Sequence, residues 1–321
     1  MFMLENEITV GKRPLLEEYL RGYDYGTSGI SFTSLYMWRD INNFSWQIIG
    51  DYLCVAGLSH LELEDDEEVP FLFPPLTRTG AYDPKSLAAT IREAKRIFES
   101  KGYPFSIRLL PFNLMHFIES ACPGEMRFLD DRPNYDYLYR KQDLIDLKGR
   151  EYHSKKNHLN YFLSHYKYEY VPLTSAMAEQ AMQFIREFNA RKQIPPHEMA
   201  LLMMEERAMS DVFHNLEAVG YLTAAILIDG KIEALCIGGK ISENTVDVHV
   251  EKANTAYRGL YQLINNEFCR HMASNIKYVN REEDMGLPGL RKAKLSYKPV
   301  KLVESYIAVF KEDLNKNKIK Q

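Results

Sequence analysis

Between Leu222 and Asn280 the chain carries a run of elements that few architectures accommodate. Apolar residues from Leu222 to Ile228 and from Ile232 to Ile241 flank Asp229-Gly230. That pair suits the left-handed positions of a two-residue hairpin turn. Thr245 to Val250 then alternates, with Val246, Val248 and Val250 on one face and Asp247, His249 and Glu251 on the other. Asn254 or Thr255 is placed to cap a helix from about Tyr257 to Met272, and Ile276 to Asn280 reads as a strand. A similar order occurs earlier in the chain. A hairpin spans Phe44 to Gly57 about Gly50-Asp51, and an amphipathic helix spans Lys85 to Lys101. A strand from Phe105 to Leu110, a short helix from Phe112 to Ser120 and a closing strand from Tyr135 to Arg140 complete it. The second half closes with a strand from Val303 to Phe310. Repetition at this scale predicts two copies of one α/β unit with mixed sheets, divided as residues 1–140 and 141–321.

The chain of 321 residues is long enough for two such units. It has no apolar run of about 18 residues, so no segment is expected to span a membrane. Its first residues, with Glu5 and Glu7 and no long apolar core, do not read as a secretory signal. Cys54, Cys122, Cys236 and Cys269 are scattered, and without an export signal they are expected to be reduced thiols in the cytoplasm.

Charge separates the halves. Residues 1–140 carry 14 basic and 21 acidic side chains, and the whole chain carries −4, so the remainder is net positive and better suited to an anionic ligand. Six carboxylates between Glu62 and Glu68 lack the spacing and central glycine of an EF-hand, and a solvated loop is expected there. Met203, Met204 and Met209 are expected in the core.

The chemistry is expected at Ile276–Pro299. A strand runs into Arg281, Glu282, Glu283 and Asp284. Gly286 and Pro288 then lead to a short helix carrying Arg291, Lys292 and Lys294. Carboxylates at a strand end followed by a cationic helix make a polarised site at the carboxyl edge of a sheet, where α/β folds tend to bind ligands. Asp247, His249, Glu251 and Glu282 are the candidate bases, and Arg291 and Lys294 the candidate anion clamps. No metal site is expected: His153 and His158 are five apart, so they do not share one helical face. The chain has no nucleophile elbow, zinc-protease, P-loop or dinucleotide motif.

The element order of each half resembles the GNAT acyltransferase fold. In that fold a helix N-terminus after the fourth strand holds the pyrophosphate of acyl-CoA, as helix amides and dipole allow. The matching stretch here is Asn254–Gly259, which keeps Arg258-Gly259 but not the full glycine-rich loop. By this resemblance Tyr257, Arg258 and Gly259 form the donor-binding end. Two further segments, YRKQDLIDLKGREYHSKKNHLNYF from Tyr139 and VNREEDMGLPGLRKAKLSYKP from Val279, resemble the DUF2156 proteins. Those are similar to the cytoplasmic C-terminal domain of phosphatidylglycerol lysyltransferases.

The resemblance implies two tandem GNAT-like domains, with the active site in the second. It also implies kinship with enzymes that move an aminoacyl group from tRNA, including the Fem peptidoglycan enzymes. The expected function is acyl or aminoacyl transfer from acyl-CoA or aminoacyl-tRNA to an amine or hydroxyl, on a small-molecule or lipid acceptor. No permanently bound cofactor is expected. The alternative is a non-catalytic binding protein on the same scaffold that holds an anionic ligand or tRNA.

Overall fold

Both glycine turns form the hairpins they encode. In the computed structural model, which describes residues 3–21, 26–59, 69–191 and 199–314, β2 (Ser45–Ile49) and β3 (Tyr52–Ser59) pair antiparallel across Gly50-Asp51. β9 (Leu222–Ile228) and β10 (Lys231–Lys240) pair across Asp229-Gly230. Asp229 and Gly230 both take positive φ, +50° and +77°, as a type I′ turn demands.

The first sheet is built around the first hairpin. β1 (Asn6–Glu7) flanks β2, while β4 (Val69–Leu72) follows β3 and runs parallel to β5 (Ile107–Pro111). Helices α1 (Arg13–Leu20) and α2 (Phe32–Trp38) precede the hairpin, and α3 (Pro84–Ser100) joins β4 to β5. Asp83 caps α3 by accepting the Ser86 amide at 2.8 Å, and Pro84 occupies its first position. Leu87, Ile91, Ala94 and Phe98, at spacings of three and four, are fully buried. Burying each of the larger ones is worth roughly 1.5–3 kcal/mol. α4 (Phe112–Ala121) and β6 (Met126–Asp130) follow.

The second sheet repeats the pattern. Its first five strands are β8 (Glu169–Val171), β9, β10, β11 (Thr245–Ala253) and β12 (Tyr278–Asn280), with β11 and β12 parallel. The helices before the hairpin are α5 (Lys141–Asp146), α6 (His153–His165), α7 (Ala178–Ala190), α8 (Met199–His214) and α9 (Leu216–Val219). α10 (Leu260–His271) joins β11 to β12, and α11 (Pro288–Leu295) follows β12. Val246, Val248, Leu260, Ile264, Phe268, Val279, Tyr139 and Phe162 belong to one buried cluster between this sheet and α10.

The ends of the repeat depart from the sequence expectation. β7 (Asp136–Arg140), expected to close the first sheet, pairs antiparallel with β12 in the second. The strand expected from Val303 to Phe310 divides at Glu304. β13 (Lys301–Val303) joins the second sheet and β14 (Ser305–Phe310) inserts between β5 and β6 in the first. The orders are β1-β2-β3-β4-β5-β14-β6 and β8-β9-β10-β11-β12-β7-β13. Each sheet thus receives its sixth-placed strand from the other half of the chain. Chain contacts accordingly define one unit of Met1–Asp136, Glu283–Leu287 and Val303–Gln321, and another of Tyr137–Glu282 and Pro288–Leu302. Local pattern encodes that a segment is a strand, but not which sheet it enters, because that pairing is non-local.

Two smaller expectations also change. Met209 is fully buried, but Met203 and Met204 are 66% and 38% exposed. They lie ahead of the buried face that α8 makes with Ala208, Met209, Val212 and Phe213. α10 starts at Leu260 rather than Tyr257, with Gly259 at its N-cap. The Asn254 side chain is spent on a turn, accepting from the Ala256 amide at 3.1 Å and donating to Glu233 at 2.7 Å. The acidic stretch Glu62–Glu68 lies outside the described residues.

Candidate functional site

Strand alternation should put Asp247, His249 and Glu251 on one face of β11. The register against β10 breaks that alternation. Ile237 pairs with Val250 and Gly238 with Val248, so His249 is the extra residue of a β-bulge. Gly238 makes the bulge possible: a Cβ there would stand 2.1 Å from the Asp247 carbonyl oxygen. Beyond the bulge the side-chain parity changes. Val246, Val248 and Ala253 all join the core beside α10, and Glu251 reaches the α10 side chain Asn265, which donates to it at 2.9 Å.

Two of the expected bases therefore stay with a third, and Glu251 leaves them. His249 Nδ1 lies 2.9 Å from Glu282 Oε1 and 3.5 Å from Asp247 Oδ2. The side chains of Asp247 and His249 have 0% exposure, while Glu282 keeps 16%. Asp247 pairs across the parallel ladder with Asn280, the last residue of β12. This register brings the ends of β11 and β12 together and delivers Glu282 two residues later. Burial pushes the His249 pKa below its ordinary value, against an upward pull from Asp247. The Tyr221 ring meets the imidazole edge-on at 6.1 Å.

Glu282 sits at φ +56°, a left-handed conformation uncommon for a residue with a side chain. Its amide donates to Asn280 Oδ1 at 2.7 Å, and its carbonyl accepts from the Tyr137 amide at 3.2 Å. The ligand atoms of Asp247, His249 and Glu282 all lie within 4.8 Å of one another, so the trio has the donor set for a divalent cation as well as for proton transfer.

The other charges of the loop go elsewhere. Arg281 is half-buried and donates to Glu251 at 2.9 Å, with its guanidinium 4.8 Å from the Tyr297 ring and 5.9 Å from Tyr139. Burial opposes its charge most strongly, but Glu251, Tyr139, Tyr297 and Cys269 together outweigh that and raise its pKa. Burial also pushes the Tyr297 hydroxyl up to about 12. Asp284 is fully buried and accepts from Arg132 at 3.1 Å and from the Gly286 amide at 2.9 Å. Arg291, partly buried, and Lys294 both lie on α11. Lys294 Nζ donates to the Arg281 carbonyl at 2.5 Å.

The donor-binding end also takes a particular form. Gly259 has φ +94°, and a Cβ there would stand 2.1 Å from the His158 carbonyl oxygen and 3.1 Å from the Phe162 Cβ. α6 thus lies against the turn that opens α10, and directs a carbonyl at it. Arg258, exposed, stacks over Tyr161 at 4.6 Å and donates to His158 Nδ1 at 3.4 Å. Tyr257 meets Tyr166 edge-on at 5.2 Å.

The sequence pattern marks Arg281 only as one charge of the loop, and it does not mark Asn280 or Asn265. The signal for the bulge was present in Gly238-Gly239, since glycine inside a strand pattern marks a bulge or a close backbone approach. No comparable local signal marks Asn280.

Comparison with known proteins supplies the family. The family profile described as "Phosphatidylglycerol lysyltransferase, C-terminal" matches residues 20–309. A conserved protein of unknown function from Bacteroides thetaiotaomicron is 31% identical, covering 95% of this chain and 99% of its own, with a TM-score of 0.81. L-PGS from Bacillus licheniformis superposes with a TM-score of 0.64 at 13% identity, over 96% of this chain and 94% of its own. The C-terminal domain (DUF2156) of an Agrobacterium fabrum protein designated a lysylphosphatidylglycerol synthetase does so at 0.54 and 12% identity, over 85% and 86%. An uncharacterised protein of Mycoplasmoides gallisepticum is 25% identical over 177 residues, 54% of this chain and 55% of the relative, so the match spans about half of that relative. The expected repeat of one α/β unit is found, as two mixed sheets of one strand order, and L-PGS shares the fold. Among the described residues no helix is long and apolar enough to cross a membrane.

Proposed function

Because the chain belongs to the family of phosphatidylglycerol lysyltransferase C-terminal domains, we propose that it transfers an acyl or aminoacyl group to an amine or hydroxyl acceptor, in the cytoplasm. The observation that carries this reading is the contact of Glu282 with His249 at the paired ends of β11 and β12. Glu282 is the member of the trio that a substrate can reach, since the Asp247 and His249 side chains are fully buried. The acceptor nitrogen or oxygen attacks the donor carbonyl carbon, and its proton passes to Glu282. The new C–N or C–O bond forms, the bond to the donor's oxygen or sulfur breaks, and that leaving group takes the proton. His249 Nδ1 holds the Glu282 carboxylate, and the Asp247 carboxylate lies 3.5 Å from the same nitrogen, where its charge favours a proton on it.

The turn before α10 bears on the donor. A pyrophosphate at that helix N-terminus would meet the His158 carbonyl, which repels an anion. This favours an aminoacyl ester on tRNA over acyl-CoA, with Arg258, Tyr161 and the net positive second half facing the nucleic acid. The acceptor is a small molecule or a lipid headgroup.

The test is transfer itself. Purified chain is incubated with radiolabelled aminoacyl-tRNA, and separately with acetyl-CoA, in the presence of amine acceptors and phosphatidylglycerol vesicles. Product formation that Glu282→Gln abolishes supports the reading. Tight tRNA binding with no turnover, unaffected by Glu282→Gln, identifies a binding protein instead.

A further inference from the structure

A residue held at φ +56° persists only when its surroundings over-determine it. The peptide group joining Arg281 to Glu282 is gripped at both ends by side chains. Its N–H donates to Asn280 Oδ1 at 2.7 Å, and its C=O accepts from Lys294 Nζ at 2.5 Å. Asn280 is fully buried at the end of β12, and Lys294 reaches across from α11. A third contact, from the Tyr137 amide to the Glu282 carbonyl, ties the next peptide group to β7. α11 is further fastened to β7 by the Tyr139 hydroxyl, which donates to the Lys294 carbonyl at 2.8 Å.

We infer that Asn280 and Lys294 are positioning residues that lock the Arg281–Glu282 peptide group and so hold the Glu282 carboxylate on His249. The inference deepens the reading of Glu282 as proton acceptor and rests on it. It reassigns Lys294, read from sequence as an anion clamp, to the backbone of the site. An Asn at 280 suits the task because its carbonyl oxygen accepts from an amide two residues on, the geometry of an Asx turn. A lysine suits position 294 because its long stem carries the ammonium across to the Arg281 carbonyl.

The experiment follows the His249 imidazole by NMR, so that it needs no turnover. Groups facing that ring are Asp247 on β11, Glu282 after β12 and Tyr221 before β9. The Nδ1–H resonance is recorded in the wild type and in Glu282→Ala, which defines the position without the Glu282 contact. Lys294→Met and Asn280→Ala are expected to move the resonance most of the way to the Glu282→Ala position, and Lys294→Arg to restore most of it. Inorganic phosphate affinity in Lys294→Met is expected within twofold of wild type. A resonance unmoved in folded Lys294→Met, with phosphate affinity reduced tenfold or more, overturns the inference and returns Lys294 to the clamp. Since Asn280 is buried, folding is checked by near-ultraviolet circular dichroism, and Lys294→Met alone decides the matter if Asn280→Ala does not fold. A chain with no transferase activity would sink the functional proposal while leaving the resonance readout intact.

Discussion

The Glu251 carboxylate holds the half-buried guanidinium of Arg281 at 2.9 Å, four residues along β11 from Asp247. One strand therefore serves two polar networks, Glu251–Arg281 on the α10 side and Asp247–His249–Glu282 apart from it. The bulge at His249 separates them. The first network braces the strand end from which Glu282 departs, and the second carries the chemistry.

Arg281→Met leaves the half-buried Glu251 without its guanidinium, held only by Asn265. Losing a charge-assisted hydrogen bond of this partly exposed kind costs about 1.5–3 kcal/mol. Urea unfolding is expected to show a loss of that order, with Glu251→Gln in the same background recovering part of it. A loss below about 1 kcal/mol would mean that water reaches Glu251 in solution.

Glu282→Gln is expected to keep the fold and to reduce the transfer rate by about 10²–10⁴-fold, the range of a positioned general base. Glu251→Gln is expected to lower stability more than rate in what remains folded. The comparison is of single-turnover rates against unfolding midpoints for both variants. A rate fallen equally in the two would place Glu251 back in the site.

His249 titrates below its ordinary value of about 6.5, because burial disfavours the imidazolium. As pH falls through that range the unfolded chain binds the proton first. Native stability therefore declines with falling pH below about 6.5, and is unaffected by this group above it. Urea midpoints at pH 7.5 and 5.5 are expected to differ less in His249→Asn than in the wild type. An equal difference in both would remove His249 as a source of acid sensitivity.

Gly259→Ala meets the His158 carbonyl and must also hold φ +94°. Overpacking of this kind costs typically about 1–3 kcal/mol, and the melting temperature is expected to fall accordingly. Where the variant folds, α6 must retreat from the opening of α10. Unchanged stability would show that α6 does not sit on that turn in solution, and would reopen it to a pyrophosphate.

Arg291 stays proposed as the anion clamp of α11. Arg291→Ala is expected to weaken donor binding roughly ten- to a hundred-fold, with lysine restoring only part because it lacks the planar fork. Titration calorimetry with the donor reads this directly. An affinity change below about twofold would remove Arg291 from the site.

Much of this protein was legible in sequence. Asp229-Gly230 and Gly50-Asp51 specify their hairpins through backbone conformations that few other pairs adopt. Leu87, Ile91, Ala94 and Phe98 specify the buried face of α3 through spacing alone. The repetition of those local signals specified the tandem fold. Residue type and strand-end position point to Asp247, His249, Glu251 and Glu282 as bases, and the structure brings all but Glu251 together. The tertiary structure alone decided that Glu251 leaves them, that Lys294 binds a backbone carbonyl, and that β7 and β14 serve the sheets opposite to their halves. The reason is range. Turn and helix signals arise from contacts between residues a few positions apart, and so are written locally. A bulge, a strand exchange and a side chain spanning from Lys294 to Arg281 depend on which distant segments meet. That is settled only when the whole of the apolar surface is buried at once.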